Sequence, residues 1–214
     1  MSAQAQQQQR RGIFERLIGV AAVAGGFAKF FFFFVSFAAY SAWFGSWQFG
    51  LGFVLLILVH ELGHVAEAKR QGLPVTLPTF IPFFGAYVTV RHANTPPWRS
   101  ALVSLAGPFA GGLAAAAVWA YGAAQNTTWL VVLANLGFLL NAFNMLPIGF
   151  LDGGTVWRAV TDTWQRPQIR FENGVPVEAL PPDREHAVLI GTLYVLLAAA
   201  LVGGMLATRH SGML

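Results

Sequence analysis

The sequence predicts an all-α integral membrane protein of about five transmembrane helices with one short re-entrant extended or β-hairpin element. Three observations carry this. Of its 214 residues, 56% are hydrophobic and only 10% are charged. Apolar runs long enough to cross a bilayer recur along the chain. One stretch between them, residues 73–90, is broken by Pro74, Pro78 and Pro82 and cannot be a regular spanning helix.

Composition narrows the field. Ordinary soluble domains carry about 25% charged residues. A soluble chain of this size could not hide so much apolar surface, so lipid is its solvent. Cysteine is absent, which removes disulfides, thiolate metal sites and a cysteine nucleophile together. The formal charge is +4. The basic residues flank apolar runs and form no stripe, so nucleic acid is not an expected partner.

Residues 1–16 are expected to be a disordered N-terminal tail, opening with MSAQAQQQQRR. A membrane core follows over 17–157, with the informative motifs in 48–157. Its first apolar stretch runs from Leu17 to Trp43. Lys29 can snorkel to a headgroup, which would start the true span near Phe30. Arg10-Arg11 before this run also fits a signal peptide. The run is long and lacks a convincing small-residue cleavage site, so we read an uncleaved anchor. Further spans are expected over 49–68, 100–122 and 129–147. Residues 158–185 are expected to be a polar loop, with a hairpin-like turn signal at Glu172-Asn173-Gly174. The C-terminal segment, 186–214, contains the last span, near 187–207.

Basic residues give the orientation. With the N-terminus on one side, Lys69, Arg70, Arg91, Arg99, Arg158, Arg166, Arg170 and Arg184 all fall on that same side. The positive-inside rule makes it cytoplasmic, along with the 158–185 loop. Most of the tryptophans fall near span ends, as interface belts require.

The chemistry centres on His60-Glu61-Leu62-Gly63-His64. Residues four apart share one helix face, so both imidazoles can grip one ion. Zinc suits nitrogen and oxygen ligands, and a catalytic site keeps one position open. Glu61, beside the first ligand, is placed to act as a general base on water. The motif lies inside an apolar run, where two histidines and a carboxylate are expensive without partners. The bland alternative is a buried polar cluster that merely locks helices together. Glu67 lies one turn nearer the helix end and reads as an interface carboxylate.

A third ligand is needed. His92, His186 and His210 lie near span ends, away from membrane depth. Asp152 is the better candidate, at the close of Asn144-Met145-Leu146-Pro147-Ile148-Gly149-Phe150-Leu151-Asp152-Gly153-Gly154. Pro147 breaks the helix and the glycines free the backbone. Such irregular chain is tolerated at depth only inside protein or beside water. Otherwise Asp152 would simply cap a surface loop.

The pairing of HELGH in a membrane span with NMLPIGFLDGG much later resembles the site-2 protease family of intramembrane zinc metalloproteases. The likeness covers roughly residues 48–158. It implies one zinc ion held by His60, His64 and Asp152, with Glu61 as catalytic base. It implies that Asn144 sits by the active site and holds substrate or the developing oxyanion. Ser104-Leu105-Ala106-Gly107-Pro108 matches a motif of the family's middle core helix. Pro78–Val90 resembles the family's re-entrant element beside the active site. The 158–185 segment is too short for the PDZ or CBS domain that the family often adds, so the chain resembles a minimal form.

The resemblance implies a metalloendopeptidase that cuts transmembrane proteins in or near their spans, in a prokaryotic cell membrane. The competing readings are a non-proteolytic zinc-binding membrane protein or metal carrier, and a purely structural membrane protein. Glu61 discriminates, because a carrier needs no base beside a three-ligand ion. Gly107 and Gly111 form a small-xxx-small pair, for which close helix packing is sufficient reason.

Overall fold

The computed structural model describes residues 25–91, 95–172 and 175–210. The expected tail, His92 and the Asn173-Gly174 turn lie outside the described residues. Six helices and two small hairpins make up the described chain. They are α1 (Gly25–Phe44), α2 (Trp47–Arg70), β1 (Thr79–Ile81), β2 (Gly85–Tyr87), α3 (Pro97–Ala124), α4 (Thr128–Asn144), α5 (Asp152–Gln165), β3 (Gln168–Glu172), β4 (Val175–Leu180) and α6 (Arg184–His210).

Helices α1, α2, α3 and α6 are long and apolar enough to cross a membrane. Helix α4 is equally apolar but has 17 residues, about 25 Å of rise. These five correspond to the five stretches expected from sequence. The chain is a multi-pass membrane protein.

Helix α2 carries the HELGH motif, and both of its ends are fixed locally. At the start, the Ser46 side chain accepts from the Phe49 N–H. At the end, Gly72 adopts φ +72, a conformation glycine takes at little cost. The Gly72 N–H then reaches the Lys69 carbonyl and the Leu73 N–H reaches the Ala68 carbonyl. This satisfies carbonyls that a helix end otherwise leaves open. The chain is thereby turned sharply into the 73–90 segment.

That segment is a hairpin, as expected. β1 and β2 pair antiparallel, with Thr79 opposite Tyr87 and Ile81 opposite Gly85. A bridge between Val75 and Val90 extends the ladder outward. Phe80 is buried and packs with Tyr40, Val54 and Ile57, which pins the hairpin against α1 and α2. Phe33 meets Phe80 edge-on at 5.2 Å. Lys29 is also tied to this hairpin. It lies within the described part of α1, and its ammonium donates to the Leu77 carbonyl at 2.7 Å.

A second core joins α3, α4, α5 and α6 through Leu105, Ala115, Phe138, Val156, Ile190 and Leu201. The 158–185 loop expectation needs correction. Residues up to Gln165 continue α5, and a hairpin of β3 and β4 follows. Val156, Ala159 and Thr163, spaced three and four apart, bury one face of α5. Its other face mixes Arg158 and Gln165 with the exposed Trp157 and Trp164, so the segment reads as loop when only mean polarity is considered.

Candidate active site

The site is assembled from α2, the turn after α4, and the start of α5. His60, Glu61 and His64 are buried, at 5%, 5% and 6% exposure, which for three polar groups on one apolar helix demands partners. Asp152 comes from elsewhere. It closes the irregular 145–151 segment and is the first residue of α5. The chain from Met145 to Leu151 doubles back so tightly that a Cβ at Gly153 would strike the Met145 carbonyl. A Cβ at Gly154 would strike that of Ile148. The Tyr194 hydroxyl donates to the Met145 carbonyl from α6, and Arg158 donates to that of Gly149. These contacts set the angle at which α5, and Asp152 with it, meets α2.

Three ligand atoms converge as a result. His60 Nε2 lies 3.1 Å from His64 Nε2. Asp152 presents Oδ2 at 3.2 Å to His60 and Oδ1 at 3.4 Å to His64. His60, His64 and Asp152 form the metal-competent group among the described residues.

The hydrogen bonds around the imidazoles decide what this group can hold. The His64 Nδ1–H donates to the Val103 carbonyl at 2.8 Å. The Asn141 amide nitrogen donates to the Gly137 carbonyl at 2.7 Å, so its oxygen faces His60 and accepts from His60 Nδ1–H at 2.8 Å. Each neutral ring therefore keeps its Nε2 lone pair for the centre. With both rings neutral, two lone pairs and a carboxylate face one another, an arrangement that a cation relieves. Ligand atoms about 2.0–2.2 Å from a tetrahedral zinc stand about 3.3–3.6 Å apart. The observed separations lie at or just below that range, and the donor set of two imidazoles and a carboxylate suits the same metal.

Glu61 and Asn144 line the cavity beside this group, which has a volume of about 450 Å³. Asn144 donates to the Leu140 carbonyl at 3.1 Å. The opposite wall is the extended chain from Ala86 to Val90, and α3 contributes Ser100, Val103 and Ser104. Glu67 stays out of the site. It pairs with Arg70 at 2.6 Å and with Gln71 at 2.7 Å.

Three further residues belong to the site's framework although the sequence reading did not place them there. Asn141 is fully buried. A buried amide in the last turn of an apolar helix is itself the signal that could have found it. Gly107 and Gly111 do more than let helices approach. A Cβ at Gly107 would occupy the space of the His64 ring, and one at Gly111 the space of the Asn141 amide. Their spacing of four on α3 matches the stacking of the two side chains that they admit.

His-Glu-x-x-His on one helix, brought to an aspartate on another element of a helical membrane protein, is the donor arrangement that metallopeptidases use. The chain matches the sequence profile of peptidase family M50 over residues 48–128 and 121–176, and it belongs to that family. It is 30% identical over 173 residues to Rip3 of Mycobacterium tuberculosis, covering 74% of this chain and 43% of that protein. It is 33% identical over 105 residues to stage IV sporulation protein FB of Bacillus subtilis, covering 47% of this chain and 36% of the relative. A Synechocystis protein is 30% identical over 128 residues, covering 56% of this chain and 33% of its own length. The names of the Mycobacterium and Synechocystis proteins contain the words zinc metalloprotease. The chain thus spans between one third and about two fifths of the length of these relatives.

Proposed function

We propose that this chain is an intramembrane zinc endopeptidase that hydrolyses peptide bonds in or near the spans of other membrane proteins. The observation that carries the reading is the convergence of His60, His64 and Asp152, with both histidine Nε2 lone pairs directed inward, on a cavity inside an apolar bundle. In this reading those three residues hold one zinc, which supplies Lewis acidity for a peptide carbonyl. Glu61 takes the proton from the attacking water and returns it to the leaving amine. Asn144 spends one amide N–H on Leu140, and the second is available to a substrate carbonyl or the developing oxyanion.

A substrate helix locks its carbonyls in hydrogen bonds four residues apart, so it must unwind before cleavage. β2 pairs only with β1 among the described residues, and the chain continuing from it lines the cavity. An unwound substrate strand can add to that edge and recover backbone hydrogen bonds. The basic residues at span ends favour a cell membrane location with a cytoplasmic N-terminus.

The test is cleavage of a single-span protein co-reconstituted in liposomes, with product ends mapped by mass spectrometry. Cleavage should stop on metal chelation, return with zinc, and fall within or beside the apolar segment. Cleavage that persists without metal, or products ending only in soluble regions, would overturn the proposal.

A further inference from the structure

Two cavities lie on the face of α3 turned away from the active site, and they meet. The upper one, about 360 Å³, is lined by Arg70, Gln71, Pro96, Trp98, Arg99 and Leu102. The lower one, about 230 Å³, shares Arg70 and Leu102, has Glu67 at its rim beside Arg70, and continues between α3 and α6 past Leu105, Phe109, Leu193 and Leu197. We propose that this composite site binds one anionic phospholipid, with its phosphate between Arg70 and Arg99 and an acyl chain in the lower groove. The proposal rests on the membrane setting of the fold and not on the protease reading.

Charge identifies the head. Two guanidinium groups border the upper cavity and the shared rim, against the single carboxylate of Glu67. That carboxylate is held by Arg70 at 2.6 and 2.8 Å. Arg99 gives one N–H to the Gln71 carbonyl at 3.1 Å. A guanidinium has five donors in a planar fork, so donors remain for phosphate oxygens. Trp98 beside them has the amphipathic ring suited to the headgroup level.

Dimensions identify the tail. Leu102 to Phe109 covers about 10 Å of helix rise, inside the roughly 15 Å depth of one leaflet's hydrocarbon. Between α3 and α6 the groove is lined by Leu102, Leu105, Ala106, Phe109, Leu193 and Leu197, an apolar surface that an acyl chain can cover. A lipid so placed would tie the end of α2 to α3 and α6 across a seam that Gln71 and Arg99 already clamp through reciprocal hydrogen bonds.

The test uses the full chain in mild detergent with phosphatidylglycerol, phosphatidylcholine or inorganic phosphate added. Native mass spectrometry reads the bound lipid, and thermal unfolding reads its effect. One phosphatidylglycerol should be retained and raise the unfolding midpoint, while phosphatidylcholine and phosphate should do neither. The Arg70→Gln/Arg99→Gln variant should bind about tenfold more weakly or worse. Leu193→Trp, which fills the groove and leaves both arginines, should lose the lipid as well. If the double variant does not fold, Arg70→Gln alone and Leu193→Trp decide the matter. Equal retention of the two lipids, unchanged phosphatidylglycerol binding in the variants, or stabilisation by phosphate alone would overturn the proposal.

Discussion

Asn141 on α4 holds the ring of His60 on α2 through a hydrogen bond of 2.8 Å between residues 81 positions apart. The bond is buried, and the other end of the same amide is tied to the Gly137 carbonyl. The amide therefore cannot turn over without leaving an unpaired buried group. Both the orientation and the tautomer of His60 follow from that constraint, and His64 is constrained in the same sense by the Val103 carbonyl. The zinc assignment thus depends on residues that never touch the metal.

Asn141→Ala should accordingly weaken zinc binding by about 10–100-fold, the usual cost of losing such a partner. Asn141→Asp keeps an acceptor for the His60 N–H and should fall between Ala and wild type. Competition against a fluorescent zinc chelator measures both. Wild-type affinity in Asn141→Ala would remove the positioning role.

Gly107→Ala should be more damaging than its one added methyl group suggests. The Cβ would lie in the space of the His64 imidazole, and overpacking of this kind costs about 1–3 kcal/mol. Zinc content should drop along with the unfolding midpoint. Gly112→Ala is the matched control on the same helix. Its Cβ meets the tip of the Leu201 side chain, which can swing aside, so zinc should be retained. Equal zinc loss in both variants would show that α3 tolerates no bulk anywhere, and not that Gly107 shelters the ligand.

Much of this architecture was legible in the sequence because it depends on local period. HELGH places its histidines on one face through the helix repeat alone, and the prolines of 73–90 forbid a regular helix without reference to the rest of the chain. Asp152 could be nominated because a carboxylate closing a proline-broken apolar run is costly at membrane depth unless something binds it. Asn141, Gly107 and Gly111 escaped because their roles exist only between helices. Nothing in α3 states that Gly107 faces a histidine of α2 rather than an alanine. Helix α5 escaped for a different reason. Its buried residues are Val156, Ala159 and Thr163, beside two glycines, too few and too small to raise an apolar signal over a polar segment.

The hairpin offers a separate test of substrate positioning. Phe80 is 4% exposed and anchors β1 against α1 and α2. Phe80→Ala should cost about 3–5 kcal/mol if the site does not collapse. The loss should fall on the 79–90 segment, because the three candidate ligands come from helices. Zinc content should stay near wild type while cleavage slows and KM rises. Loss of zinc in step with activity would mean that the hairpin supports the metal site itself.

Topology is tested without any activity measurement. Asn126 lies in the turn between α3 and α4, and Arg170 lies in the hairpin beyond α5. Reporter fusions at these two positions should land on opposite sides of the membrane, with Arg170 cytoplasmic. The same side for both would rule out the five-span arrangement.

Glu61→Gln separates a protease from a metal carrier built on the same ligands. Glu61 is buried beside the candidate ligands and lines the cavity, but it is not one of the grouped ligands. Glutamine preserves its size and an acceptor oxygen and cannot take up a proton near neutral pH. Loss of a general base lowers rates by about 10²–10⁴, which in a slow membrane enzyme would read as inactivity. Zinc content and thermal unfolding should remain those of the wild type. Asp152→Ala should instead lose zinc and activity together, and Asn144→Ala should keep zinc while turnover slows. Cleavage and metal content are measured on the same reconstituted samples. Normal cleavage by the Glu61→Gln protein would refute the assigned base, and unchanged zinc transport by the same variant would favour the carrier.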